Sequence, residues 1–264
     1  MFPTLIEFGP LCLPTYATLL SLGLVGGVVA TVWGGRRQGL APTHGFDAAL
    51  LAACGGLVGA RATHVAINWA YYHDHVSAAL RLWAGGLAWQ GGLVPGLVLI
   101  ALYTRRCRLP LGVLLDALAP GLAWFTFFLW LGSGATSDAY GRETFPVDGL
   151  LWTLSADLPD LYGLRAPRVN VPLLGAMWSG LVLAASWVLR RRSSAAGSLF
   201  LTFLALTGLG GLVLIPLQAN PAPLLLGLRL DWLFSLMLAV GGLGGLVALR
   251  LRVAKDRRRM TTNG

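Results

Sequence analysis

From Ser198 to Leu228 the chain reads SLFLTFLALTGLGGLVLIPLQANPAPLLLGL, without one charged side chain. A helix crosses a hydrocarbon layer of roughly 30 Å with about 20 apolar residues. This run is longer than one upright span needs, so Pro216, Pro221 and Pro223 are expected to end the helix and leave a short apolar loop. Working outward, similar runs recur on both sides: Leu11 to Trp33, Phe46 to Tyr72, Leu82 to Tyr103, Pro110 to Ala135, Val169 to Leu189 and Trp232 to Leu249. The whole chain has 264 residues, 56% hydrophobic and 12% charged, about half the charge of an ordinary soluble domain. Thirty-five glycines and ten tryptophans exclude a disordered chain, and the glycines lack a collagen period. The expected fold is all-α, a polytopic membrane protein of about seven transmembrane helices forming one domain over residues 1–264.

The net charge of +9 suggests nucleic acid until the basic residues are placed. One set of alternate loops holds fourteen of them: Arg36, Arg37, Arg105, Arg106, Arg108, Arg190, Arg191, Arg192 and six in the tail from Arg250 to Arg259. The other set holds five: Arg81, Arg142, Arg165, Arg168 and Arg229. Cytoplasmic loops retain Lys and Arg, so the N-terminus is expected outside and the C-terminus in the cytoplasm. The basic tail at 250–264 then meets anionic headgroups of the lipid bilayer, and no nucleic-acid partner is implied. The first apolar segment lacks a basic start and a small-residue cleavage site, so it reads as a span and not as a cleaved signal peptide. The polar stretch 136–168, with Asp138, Glu143, Asp148, Asp157 and Asp160, falls on the outer side.

Glycine pairs Gly23/Gly27, Gly55/Gly59, Gly92/Gly96 and Gly241/Gly245 have the spacing that lets membrane helices approach closely. Cys12, Cys54 and Cys107 show no metal or disulfide spacing and read as packing residues. No repeat of 20 to 50 residues is present, which weighs against a transporter.

Polar residues inside the spans concentrate on the second. Arg61, His64 and Asn68 follow at i, i+3 and i+7 among Ala, Gly, Val and Ile. A charge near mid-membrane costs at least about 2.5 kcal/mol, so Arg61 needs a function or a buried network of partners. The functional reading is a phosphate site, with Arg as bidentate donor; the plainer reading is a structural network. Arg81 to Leu93, RLWAGGLAWQGGL, sets Gly pairs around an aromatic and an amide. That pattern suggests exposed backbone N–H groups suited to an anion, or simply an interfacial turn. His73-Asp74-His75 is too sparse for a metal site and reads as a solvated loop. Asp116 is expected to cap a helix or pair with an Arg, and Tyr16 to meet a headgroup or belong to the aromatic belt.

The order of Gly59-Ala60-Arg61-Ala62-Thr63-His64-Val65, then Arg81 to Leu93, resembles the prolipoprotein diacylglyceryl transferase family, which reads G-A/G-R-x-G-x-V followed by R-x-W-x-G-G-x-x-F/Y-H-G-G-L. Gly9-Pro10 with Tyr16, Asp116 to Pro120, and Tyr140-Gly141-Arg142 are similar at corresponding places. The resemblance implies transfer of the diacylglyceryl group of phosphatidylglycerol to the lipobox cysteine thiol of a prolipoprotein signal peptide, with no cofactor and no metal. It sets Gln90 and Asp138 at catalytic positions of the family; His64, at a variable place of the motif, is the candidate base because Gln90 cannot take a proton. It marks Arg61, Arg81, Arg142, Gly91, Gly92, Gly141 and Tyr16 as the lipid phosphate site. Gln90 stands where the family has His, Trp130 and Gly211 where it has Arg, Ser133 and Thr136 where it has Asn, Asp138 and Ile215 where it has Glu. In the family's R-H-P-S-Q-x-Y-E stretch, Arg168 and Gly175 take the first and last places. Two expectations follow: a transferase working through His64 and the remaining arginines, or a noncatalytic lipid-binding relative.

Overall fold

The computed structural model describes residues 4–8, 11–82, 85–136, 139–190 and 195–262, with side chains from Leu13 to Asp256. A hairpin of β1 (Thr4–Phe8) and β2 (Leu11–Pro14) leads into α1 (Thr15–Arg36) and α2 (Pro42–Ile67). Short helices α3 (Trp69–Tyr72) and α4 (Val76–Ala79) and a 3-10 turn, Trp89–Gly92, precede α5 (Leu93–Cys107). After α6 (Leu111–Thr136) come α7 (Leu150–Thr153) and an antiparallel hairpin of β3 (Ser155–Pro159) and β4 (Arg165–Val169). Then follow α8 (Val171–Leu189), α9 (Ser198–Leu214), a small hairpin of β5 (Leu224–Leu225) and β6 (Leu228–Arg229), and α10 (Leu230–Thr262).

Six of these helices are long and apolar enough to cross a membrane: α1, α2, α6, α8, α9 and α10. The expected third span differs in shape. Its helix begins at Leu93, not Leu82, because Gly85 and Gly86 adopt positive φ and the chain turns before the helix starts. The second span likewise stops at Ile67, where Asn68 leaves helical geometry and donates its side chain to the His64 carbonyl. Pro216 ends the α9 region as anticipated, after one 3-10 turn.

The helices pack through glycine, as the spacing predicted, and turn their larger apolar side chains outward. A Cβ on Gly23 would meet Phe128, and one on Gly27 would meet the Gly121 carbonyl, so α1 and α6 run antiparallel at backbone distance. Gly55 and Gly59 face Gly96 and Pro95 in the same way, joining α2 to the α5 segment. On α10 the seam uses Gly242 and Gly245, while Gly241 faces open space, one residue off the expected pair. Leu22, Val25 and Val29 of α1 and Met237, Val240 and Val247 of α10 are exposed, an inverted pattern suited to a lipid solvent. Cys54 also faces outward, Cys107 is half-buried, and Cys12 has no described side chain.

These antiparallel contacts give the bundle two ends. The head end, where α1 begins, gathers the end of α2, the start of α5, the α6–α8 connection and the α9–α10 hairpin. At the opposite end Asp116 of α6 is buried and accepts hydrogen bonds from the Gly197 and Phe200 amides, at 2.7 and 2.9 Å. It therefore caps α9 across the bundle, satisfying N–H groups that a helix start leaves open. Nearby, Trp33 lies between the Arg37 and Arg190 guanidinium groups, 3.7 and 4.2 Å from its ring centroid.

Candidate functional site

The site is built from the last turns of α2 and the chain that returns to it. Gly59 has no room for a Cβ beside the Gly91 carbonyl and Pro95, and Gly91 and Gly92 sit as closely on Thr63 and Gly56. The Ala88 amide donates to the Ala60 carbonyl at 3.0 Å, so residues 87–92 run along the helix in backbone contact. Arg61 points into the loop this creates and is only 6% exposed. Its Nε donates to the Ala79 carbonyl at 2.8 Å, Nη2 to Ala78 at 2.6 Å, and Nη1 to Gly85 and Gly86 at 2.5 and 2.9 Å. A guanidinium has five N–H donors, so one remains. The cation also lies 5.4 Å from the Tyr72 ring centroid. Arg61 thus closes the loop 78–86 around itself.

His64 lies one turn further along α2, half-buried, its ring edge-on to Tyr72 with centroids 5.9 Å apart. Gly86 covers its Nε2 edge: a Cβ there would collide with the imidazole, and the φ of +74° suits glycine alone. The Gly86 and Leu87 amides have no hydrogen-bond partner among the described residues. The arrangement therefore sets an imidazole nitrogen beside backbone donors, a combination suited to proton transfer next to an anion. Gln90 is half-buried in the 3-10 turn, following Trp89, which packs edge-on against Phe234 of α10 at 5.2 Å. Arg81 is exposed, with no side-chain partner among the described residues. Asn68 completes no stripe, since it turns out of the helix. His73 pairs with Asp74 at 2.9 Å while His75 stacks on Tyr71, so the three do not converge.

A second group of expected residues meets at the same end of the bundle. Tyr16, half-buried at the start of α1, packs on Gly132 of α6, where a Cβ would lie 3.0 Å from its ring. Gly141 and Arg142 form the middle line of a small three-layered ladder. Gly141 bridges Gln218, the Arg142 amide donates to the Leu217 carbonyl at 2.9 Å, and the Val169 amide donates to the Arg142 carbonyl at 3.0 Å. Only glycine fits at 141, against the Val169 carbonyl. The Arg142 side chain is exposed. Asp138 lies outside the described residues.

Over residues 3–248 the chain matches the family described as prolipoprotein diacylglyceryl transferase. It belongs to that family. Three similar relatives carry the name phosphatidylglycerol–prolipoprotein diacylglyceryl transferase. The Mycobacterium bovis protein (strain BCG / Pasteur) is 32% identical over 246 residues, 84% of this chain and 51% of the relative. The Streptococcus equi protein is 28% identical over 237 residues, 89% and 90% of the two chains. The Lactiplantibacillus plantarum protein is 28% identical over 210 residues, 77% and 73%. The chain thus spans about half the length of the mycobacterial relatives it matches. With its apolar helices, it is a multi-pass protein of the bacterial cell membrane.

Some of the residues expected to depart from the family motif pack against one another. Trp130 lies on Gly175 so closely that any Cβ on Gly175 would strike the indole. Trp130 joins Val169, Val171 and Leu214 in one apolar cluster. The space beside Gly211 is filled by the Ser235 side chain, with Ile215 close by. Trp178 stacks over Gly210 and donates to the Leu206 carbonyl at 2.9 Å.

Two arginines given no site role in the sequence hold this end of the bundle together. Arg168 is buried, donating to Glu143 at 2.7 Å and Asp160 at 3.2 Å beneath Tyr140. Arg229 ties Gln218, Asn220 and Asp231 together. The available signal was their setting: Arg168 stands near the carboxylates of the 136–168 stretch, and Arg229 sits two residues from the acid that opens α10.

Proposed function

We propose that this protein transfers the diacylglyceryl group of phosphatidylglycerol to the cysteine thiol of a prolipoprotein lipobox. The sulfur forms a bond to the glyceryl carbon, the bond from that carbon to phosphate oxygen breaks, and glycerol phosphate leaves with the electron pair. The thiol proton goes to His64, because a free thiol titrates near ~8.5 and an adjacent base raises its thiolate fraction. Arg81 and Arg142 meet the phosphate as exposed cations, with the Gly86 and Leu87 amides beside it. Arg61 acts mainly through the loop it holds, with one N–H left for an oxygen of the ligand. Gln90, Gly91 and Gly92 shape the wall facing the lipid, and Tyr16 and Gly141 fix the neighbouring elements. The N-terminal side of the bundle is then the outer face, with residues 136–168 above it.

The observation that carries this reading is His64 held against Gly86 in the segment pair that the family motif joins. The test is a mass-shift assay with the purified protein in phosphatidylglycerol vesicles and a lipobox peptide. The expected outcome is a diacylglyceryl-sized shift that is absent with a Cys→Ala peptide and with His64→Ala protein. No shift, beside a relative with its motif intact that works in the same vesicles, overturns the proposal.

A further inference from the structure

Between Asn220 and Arg229 the chain reads PAPLLLGL, with no polar side chain. A turn in water favours Asn, Asp, Ser and Gly, which hydrogen-bond the backbone or accept positive φ. Here the residues fold into the β5–β6 hairpin, its base closed by the Leu230 amide on the Pro223 carbonyl at 2.9 Å. Leu224, Leu225 and Leu228 are exposed, and Leu226 at the tip is 94% exposed. Leu226 also holds a φ of +54°, a left-handed conformation that crowds an L side chain and that Gly or Asn would adopt more readily. The two-residue turn Leu226-Gly227 closes the hairpin with positive φ at both places, but at 94% exposure the Leu226 side chain gains almost no packing contact among the described residues. What the leucine gains comes from outside the molecule.

We propose that this hairpin is an apolar wedge inserted into the bilayer surface, with the side chains of Leu225 and Leu226 among the upper acyl chains. Position supports lipid as the occupant. The hairpin ends where α10 begins, and α10 is long and apolar enough to cross a membrane. Arg229 fastens its base by hydrogen bonds to Gln218, Asn220 and Asp231, so it stays at the ends of α9 and α10. Each strand has two residues, about 7 Å of reach, so the tip stays near the level of the helix ends. The exposed leucines continue the outward-facing surface of α9 and α10 formed by Val213, Met237 and Val240. The turn backbone cannot leave its amides unpaired in hydrocarbon, which keeps it among the headgroups while the side chains reach inward. This placement is independent of the proposed chemistry.

The test is site-directed spin labelling in vesicles of phosphatidylglycerol and phosphatidylcholine. Leu226→Cys and, separately, Leu225→Cys are labelled in the full chain after Cys12, Cys54 and Cys107 are changed to Ala. Power saturation is then compared between oxygen, which partitions into acyl chains, and a water-soluble nickel chelate. The expected result is oxygen relaxing both labels several-fold more strongly than the chelate. Stronger relaxation by the chelate at both positions places the tip in water and overturns the proposal. So does protection from both agents, which indicates that a peptide or a second copy covers the hairpin.

Discussion

Replacing Arg61 with Lys separates two roles that the same residue can have. In the structure Arg61 makes four N–H···O=C bonds, to Ala78, Ala79, Gly85 and Gly86, spread over two sides of its planar fork. An ammonium presents three donors from one point, so Lys retains one or two of these bonds. Hydrogen bonds to a charged group contribute about 1.5–3 kcal/mol each when buried. Residues 80–82 and 85–87 include exposed positions, so freed carbonyls can turn to water, and about 1 kcal/mol per lost bond is the better figure. Losing two or three bonds therefore favours loop opening by about 2–3 kcal/mol, roughly 30- to 150-fold. The assay is amide hydrogen exchange of the peptide covering 78–88, with phosphatidylglycerol transfer measured on the same preparation. Exchange is expected to rise by that factor and turnover to fall, with no lipid concentration restoring it. A residue that mainly binds phosphate behaves otherwise: Lys keeps the charge, the loop stays protected, and only the lipid concentration for half-maximal rate increases. Unchanged exchange at 78–88 in Arg61→Lys refutes the clamp.

Three further outcomes follow from the same geometry. Gly86→Ala places a methyl group against the His64 imidazole at a backbone angle that disfavours it, and is expected to reduce transfer about 100-fold or more, as read by mass shift, while the melting temperature moves little. Asp116→Ala leaves the Gly197 and Phe200 amides without their acceptor, and is expected to lower stability by about 1–3 kcal/mol, seen as earlier thermal unfolding in detergent. Gly175→Ala forces Trp130 to shift and is expected to cost about 1–3 kcal/mol in the native chain; in a Trp130→Leu background the same change is expected to cost clearly less, and equal penalties in a double-mutant cycle contradict the contact.

The membrane fold was legible because hydropathy repeats over long runs, and the helix seams because glycine spacing reports close approach. What the sequence misplaced is local. Leu82 to Gly92 carries no charged side chain, yet the helix starts only at Leu93, because Gly85 and Gly86 take conformations that hydropathy does not encode. Gly242 replaced Gly241 at the α10 seam because periodicity alone does not fix which face turns inward. In the site, the coincidence of Arg61 with His64 was readable from their one-turn spacing. Their actual partners were not, since Ala78, Ala79, Gly85 and Gly86 contribute only carbonyls, and a backbone acceptor leaves no mark on residue identity. Of the two readings left open for Asp116, a cap or an Arg partner, the structure shows the cap, and the helix it caps starts 82 positions later in the chain, a pairing that only packing reveals.

Trp130, Gly175, Gly211 and Ile215 stand at places where the resemblance to the family leads to an expected charge, and none carries one. The indole of Trp130 packs on bare Gly175, and the Ser235 side chain and Ile215 lie against Gly211. Burying a lone Arg or Glu in that seam would cost several kcal/mol, and around Trp130 the seam is packed as an ordinary apolar core. The α2 side is built differently. Arg61, His64, Gly86, Gly91 and Gly92 remain fitted to one another by hydrogen bonds and by contacts too close for a Cβ. If diacylglyceryl transfer occurs here, its proton route and its anion donors therefore lie along the end of α2, and variants on the α6–α8–α9 seam should change stability before they change the reaction.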